Sequence, residues 1–226
     1  MLVARNNFSS QGRDGRYPEA LKGGGEMRLF IAINFDEEVK NKICDFIEEM
    51  KKAGIRGNFT LRENLHLTMV FLGEIPAHKV NAVKNVMDDI GKSSRRGYGE
   101  NVMCEENGDR NLCGDKLPTI SFSGFGNFSD VLWVGIEKDD ELNMLQKKLS
   151  DGLSGLGFRI EKREFKPHVT VCRRAVLPEG FDRRAMVSAA AKVFGALRMK
   201  VDRIDLMKSE RIDGRMVYTP IHTAKL

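Results

Sequence analysis

Two short segments constrain this chain more than any other part of it. The first reads Asn64-Leu65-His66-Leu67-Thr68-Met69-Val70-Phe71-Leu72-Gly73, the second Phe165-Lys166-Pro167-His168-Val169-Thr170-Val171-Cys172-Arg173. Each places His-apolar-Thr inside an alternating run, the pattern of a strand with one buried face. On a strand, side chains i and i+2 share a face. His66 therefore points with Thr68, and His168 with Thr170. Leu67, Met69, Val169 and Val171 point the other way, into a core. The motifs lie 168 − 66 = 102 residues apart, which fits one motif in each half of the chain. Two imidazoles and two hydroxyls aimed at one space compose an acid–base site around a phosphate.

Around these strands the pattern is mixed α and β. Residues 28–34 form an apolar run rich in β-branched residues, a buried strand. Asp36 offers an N-cap for a helix to about Lys52, with Val39, Ile43, Phe46, Ile47 and Met50 at helical spacing. A strand over 65–72 is closed by Gly73, and a helix follows over 77–90. Residues 91–116 lose periodicity and read as an exposed loop. Strands at 118–124 and 131–136 form a hairpin. A helix over 139–154, the second motif strand over 166–173, a helix over 181–195 and strands at 200–208 and 216–225 complete the order. Periodicity alone establishes α+β.

The flanks of the two motifs extend the pattern into a resemblance. Arg28-Leu29-Phe30-Ile31-Ala32-Ile33, Glu63 through Thr68 with Phe71-Leu72-Gly73-Glu74, Leu132-Trp133-Val134-Gly135-Ile136, and Phe165, Pro167, His168, Thr170 and Arg173 stand in register. Ser209, Gly214 and Tyr218 fit a closing hairpin. With these residues the chain resembles the 2H phosphoesterase superfamily, and within it the RNA 2′,3′-cyclic phosphodiesterase family, also called 2′-5′ RNA ligases. The resemblance covers residues 27–226. It implies two lobes of mostly antiparallel sheet with flanking helices, related by a pseudo-twofold axis around a central cleft. It also implies hydrolysis of RNA 2′,3′-cyclic phosphate ends to 2′-phosphates, with His66 and His168 catalytic. Residues 1–26 precede the usual start and read as a disordered extension, and 91–116 reads as an insertion.

The residues permit that chemistry without a metal or a cofactor. One neutral imidazole takes a proton from water and one imidazolium gives a proton to the leaving ribose oxygen. Histidine suits both roles because its ordinary pKa, about 6.5, lies near working pH. Thr68 and Thr170 would donate to the non-bridging oxygens, where charge grows in the transition state. Sequence does not fix which imidazole is the base; the initial expectation makes His66 the acid and His168 the activator of water. Arg173 is a phosphate or backbone contact, although on an ideal strand it has the wrong parity to share a face with His168. Phe165 and Tyr218 are candidates for stacking on a base. His78 and His222 repeat no motif and read as structural, and Phe71, Leu72 and Trp133 read as core.

Composition narrows the partners only a little. The net charge is +5 with a pI near 9.0, mildly favourable for an anion. No apolar run reaches the ~18 residues of a membrane span. Residues 1–26 are polar and glycine-rich without an apolar signal core. Of Cys44, Cys104, Cys113 and Cys172, none forms a C-x-x-C pair, which argues against a zinc site. Cys104 and Cys113 are placed to pair if oxidised; free thiols in a reducing cytoplasm are the expectation. The expected partner is RNA bearing a cyclic phosphate, bound by a monomer. Two other readings stay open: a phosphodiesterase for a small nucleotide such as ADP-ribose cyclic phosphate, and a non-catalytic RNA-binding module.

Overall fold

The computed structural model describes residues 25–96, 103–106, 109–112 and 117–226. Of the extension expected over residues 1–26, residues 1–24 lie outside the described residues, as do 97–102, 107–108, 113–116 and the expected Cys104–Cys113 pairing. In chain order the elements are β1 (Glu26–Asn34), α1 (Glu37–Lys52), β2 (Arg56–Phe59), β3 (His66–Pro76), α2 (Val80–Arg96), β4 (Met103–Glu106), β5 (Asp109–Leu112), β6 (Thr119–Phe128), β7 (Val131–Ile136), α3 (Asp140–Gly155), β8 (His168–Val176), α4 (Arg183–Phe194), β9 (Arg198–Lys200), β10 (Arg203–Ile212) and β11 (Arg215–Lys225). Two single turns of 3-10 helix, Arg62–Asn64 and Ala77–Lys79, introduce β3 and α2.

The strands form two antiparallel sheets, ordered β11-β10-β1-β3 and β9-β6-β7-β8-β2, beside the separate hairpin β4-β5. Written this way, the duplication is visible in the pairing itself. β1-α1-β3-α2 in the first half repeats as β7-α3-β8-α4 in the second. β3 pairs with β1 as β8 pairs with β7, and β10 flanks β1 as β6 flanks β7. Asp36 and Asp139, each just before its helix, accept from the backbone N–H of Val39 and Leu142, both at 2.8 Å. Asp182 caps α4 the same way through Ala185. Such caps are each worth about 1 kcal/mol.

A main hydrophobic core runs between the sheets and helices, beside a small separate cluster of Phe30, Ala32 and Met207. α1 follows a strand of the first sheet but packs on the second. Its Phe46 sits edge-on to Phe125 of β6 at 5.7 Å and to Phe194 of α4 at 5.4 Å, and Phe194 stacks on Phe122 at 5.2 Å. The five apolar residues of α1 read from periodicity are all buried. Cys172 is buried as well, and burial pushes its thiol up to about 11, so it is protonated and unreactive at neutral pH.

Several expectations need correction. β1 starts at Glu26, two residues early. Gly73 does not close β3, which runs on to Pro76; at φ +75° it lies beside a register shift. The loop expected over 91–116 begins as the last turns of α2, to Arg96, and contains the β4-β5 hairpin. β2 was missed altogether, because Arg-Gly-Asn-Phe has no alternation of its own and exists as a strand only through its pairing with β8.

α2 lies against β11 closely enough that a Cβ on Gly91 would fall 2.1 Å from the carbonyl oxygen of Lys225. His222 of β11 bonds Asp88 of α2 at 2.8 Å on the same contact, which is the structural role expected for it. In an open helix, Gly→Ala gains about 1 kcal/mol. Here the clash with backbone costs more, since overpacking costs about 1–3 kcal/mol. Gly91→Ala is therefore expected to lower the unfolding free energy in urea titrations; an increase would contradict this close packing.

Candidate active site

Both motif histidines are the first residues of their strands, and the strands carry them in matching ways. The His66 Nδ1–H donates to the carbonyl of Asn64 at 2.7 Å, and the His168 Nδ1–H donates to the carbonyl of Lys166, also at 2.7 Å. Each ring is thus tied to the carbonyl two residues upstream. A ring that donates from Nδ1 keeps its Nε2 for chemistry. In the first lobe that nitrogen meets the Thr68 hydroxyl at 3.0 Å. The core-facing neighbours follow the alternation expected of them: Leu67, Met69, Val169 and Val171 are all buried.

The alternation then breaks at the same place in both strands. In β3, Val70 opposes Ile31 and Thr68 opposes Ala32, leaving Met69 as an extra residue. In β8, Cys172 opposes Leu132 and Thr170 opposes Trp133, leaving Val171 as the extra residue. Each is a β-bulge three residues past the histidine. A bulge shifts the side-chain parity of everything after it. Met69 and Val70 are both buried, as are Val171 and Cys172, and the fifth residue past each histidine returns to the histidine face. That residue is Phe71 in one lobe and Arg173 in the other. The parity objection to Arg173 is removed, and Phe71, expected in the core, is 47% exposed with the Arg28 guanidinium 5.2 Å from its ring.

The two strands are brought together by β2. It pairs with β8, with Phe59 opposite Cys172. Thr60 then donates its backbone N–H to the Val171 carbonyl and its hydroxyl to the Thr170 carbonyl, both at 2.9 Å. Only the Arg62–Asn64 turn separates this contact from His66. Asn64 anchors the turn by donating from Nδ2 to the Met216 carbonyl of β11 at 2.8 Å. The chain thus passes from the edge of the second sheet to the first residue of β3 within a few residues.

Electrostatics distinguish the two imidazoles. His66 is enclosed by Phe30 and Tyr218, with ring centroids 4.9 and 5.3 Å away. Burial lowers its pKa, the Asn64 carbonyl opposes that, and the positive charges of Arg173 and His168 lower it further. His66 therefore feels Arg173 and His168 across the cleft. His168 stands more open, edge-on to Phe128 at 5.3 Å and 6.3 Å from Trp133.

Of the residues expected at the site, His66, Thr68 and Tyr218 stand together in the first lobe and His168, Thr170 and Arg173 share one face of β8, with Arg173 and His168 near enough to lower the His66 pKa. Phe165 lies half-buried against the main core. Phe30, Phe128 and Trp133 were missed. Trp133 lies on the histidine face of β7, since its neighbours Leu132 and Val134 are the buried ones. The alternation of that strand carried the signal. Among the described residues no group of three or more His, Cys, Asp or Glu side chains is placed to hold a metal ion, and no described helix is long and apolar enough to cross a membrane.

The His66 shift has a consequence for stability. Its folded pKa lies below the unfolded value near 6.5. Between the two values the unfolded chain binds more protons, so stability falls as pH drops through 6.5 toward the folded pKa. His66→Gln removes this contribution. The difference in melting temperature between wild type and variant is expected to change in favour of the variant on going from pH 7.5 to pH 5. A difference independent of pH would contradict the assigned burial.

Comparison with known proteins identifies the family. The family model of the 2′-5′ RNA ligase superfamily matches residues 39–213. Among curated relatives, the RNA 2′,3′-cyclic phosphodiesterase of Thermotoga maritima is 32% identical over 164 residues, covering 70% of this chain and 75% of that one. The protein of the same name from Methanothermobacter thermautotrophicus is 27% identical over 206 residues, covering 89% and 100%. In fold the chain is similar to the crystal structure of E. coli LigT in its apo form, with a TM-score of 0.65 at 23% identity, covering 89% of this chain and 98% of that one. With the match spanning both motif strands, the chain belongs to the 2′-5′ RNA ligase superfamily.

Proposed function

We propose that this protein hydrolyses RNA 2′,3′-cyclic phosphate ends to 2′-phosphates with two histidines as base and acid and no metal in the chemical step. The observation that carries the reading is the matched pair of Nδ1–carbonyl hydrogen bonds, which leaves two Nε2 atoms for one cleft. The names of the curated relatives support the substrate class.

The lowered pKa of His66 favours its neutral form, so His66 is assigned as the base and His168 as the acid. This reverses the expectation that His66 is the acid, and its physical cause is the enclosure of His66 by Phe30 and Tyr218. Water attacks phosphorus as His66 Nε2 takes its proton. The P–O3′ bond breaks as His168 Nε2–H gives a proton to O3′. The product is a 2′-phosphomonoester and a free 3′-hydroxyl. Thr68, which meets His66 Nε2 in the free protein, turns its hydroxyl to a phosphate oxygen and releases the lone pair for water. Thr170 and Arg173 supply the opposing donors, where fixed dipoles act most strongly as charge builds. By microscopic reversibility, a 5′-hydroxyl in place of water would give a 2′-5′ linkage.

The test is turnover of a short RNA ending in a 2′,3′-cyclic phosphate, in EDTA. The expected result is a 2′-phosphate product, a bell-shaped pH profile of kcat/KM, and losses of about 10²–10⁴-fold in His66→Ala and in His168→Ala. Wild-type rates in either variant would overturn the mechanism. An aryl phosphodiester, whose phenolate leaves without a proton, separates the roles: it is expected to rescue His168→Ala and not His66→Ala. Rescue of His66→Ala alone would reverse the assignment.

A further inference from the structure

We infer that Trp133 and Phe128 form a stacking platform for the base of the nucleotide whose phosphate sits between the histidines, so that the enzyme recognises a nucleoside and not only a cyclic phosphate. The inference rests on the proposed function and extends it to specificity.

The two lobes differ at one matched position. Ala32 opposes Thr68 in the first lobe, and Trp133 opposes Thr170 in the second. Ala32 is fully buried, whereas Trp133 is partly open on the histidine face. The indole is laid flat by glycine. Gly126 is its cross-strand partner, and a Cβ there would fall 2.3–2.9 Å from Cζ2, Cη2 and Cε2 of the ring. A Cβ on Gly135, two residues along β7, would meet Cζ3 at 3.3 Å. The ring therefore covers bare backbone instead of standing off the sheet. Phe128, two residues past Gly126, lies 5.1 Å from it at an interplanar angle of 34° and is 43% exposed.

An exposed aromatic surface beside a catalytic imidazole is costly unless something covers it. The indole Nε1 is enclosed without an acceptor, so the ring offers the cleft π surface and no donor. That chemistry takes a flat heteroaromatic group and is tolerant of which base it is, because every base has a π face. The aromatic pair beside His66 is less suited to the task. Phe30 is only 4% exposed and is closed off by His66 and Tyr218.

Trp133 is the single tryptophan of the chain, so its fluorescence reports on the platform directly. Adenosine 2′-phosphate is expected to change the emission saturably, at the concentration at which it inhibits turnover, while inorganic phosphate inhibits without that change. In kinetics, kcat/KM for adenosine 2′,3′-cyclic phosphate is expected to exceed that for 1-O-methylribose 2′,3′-cyclic phosphate by about tenfold or more. The ratio should collapse toward one in Trp133→Leu and, independently, in Phe128→Leu, whose exposed site makes misfolding no explanation. An unchanged ratio in both variants, with emission indifferent to saturating nucleotide, would overturn the platform and leave the phosphodiesterase standing. No turnover of either cyclic phosphate would overturn both.

Discussion

The site depends on one short pairing, that of β2 with β8. By the internal duplication β2 belongs to the first half of the chain, yet it adds to the edge of the second sheet. Thr60 extends the pairing with two hydrogen bonds to the backbone of Val171 and Thr170. A 3-10 turn then delivers His66. The two motif strands lie on different sheets and share no ladder of their own, so this staple holds the imidazoles across one cleft. The pairing acts together with the core that the two sheets share, so the spacing of the imidazoles is set by backbone hydrogen bonds as well as by packing.

Within the cleft, symmetry and its breaking do different work. The symmetric parts are the Nδ1–carbonyl bond, the threonine two residues on and the bulge three residues on. They give two equivalent half-sites, each presenting Nε2, a hydroxyl and one further side chain. The unsymmetric parts make the two half-sites chemically different. Phe30 and Tyr218 close over His66 and favour its neutral form, and the matched fifth position holds an aromatic ring in one lobe and a guanidinium in the other. The duplicated halves keep their backbone pattern and differ in burial and charge at a few positions.

What the sequence made legible was whatever its own periodicity and caps encode. α1 is carried by Asp36 and five apolar residues at helical spacing, and each histidine faces away from buried neighbours as alternation requires. What was not legible belongs to a partner strand. β2 has no pattern of its own. The bulges at Met69 and Val171 are defined only by the register opposite, so the parity of Arg173 and Phe71 was misjudged on ideal strands. Gly73 looked like a terminator because a strand glycine and a turn glycine are the same letter. Trp133 looked like core because a ring laid over Gly126 needs a neighbour in space, not in sequence. The difference between the two imidazoles was not legible for the same reason: enclosure of His66 is a tertiary fact.

The central claim is that both imidazoles are locked by their Nδ1–H and present Nε2 to one bound phosphate. Nitrogen NMR of the histidine rings tests it most directly, with His78→Asn and His222→Asn variants assigning the signals. At pH above the imidazole range, both His66 and His168 are expected as the Nδ1–H tautomer, and a nucleoside 2′-phosphate should shift the Nε2 resonances of both. An Nε2–H tautomer at either residue, or a ligand response confined to one ring, would contradict the account.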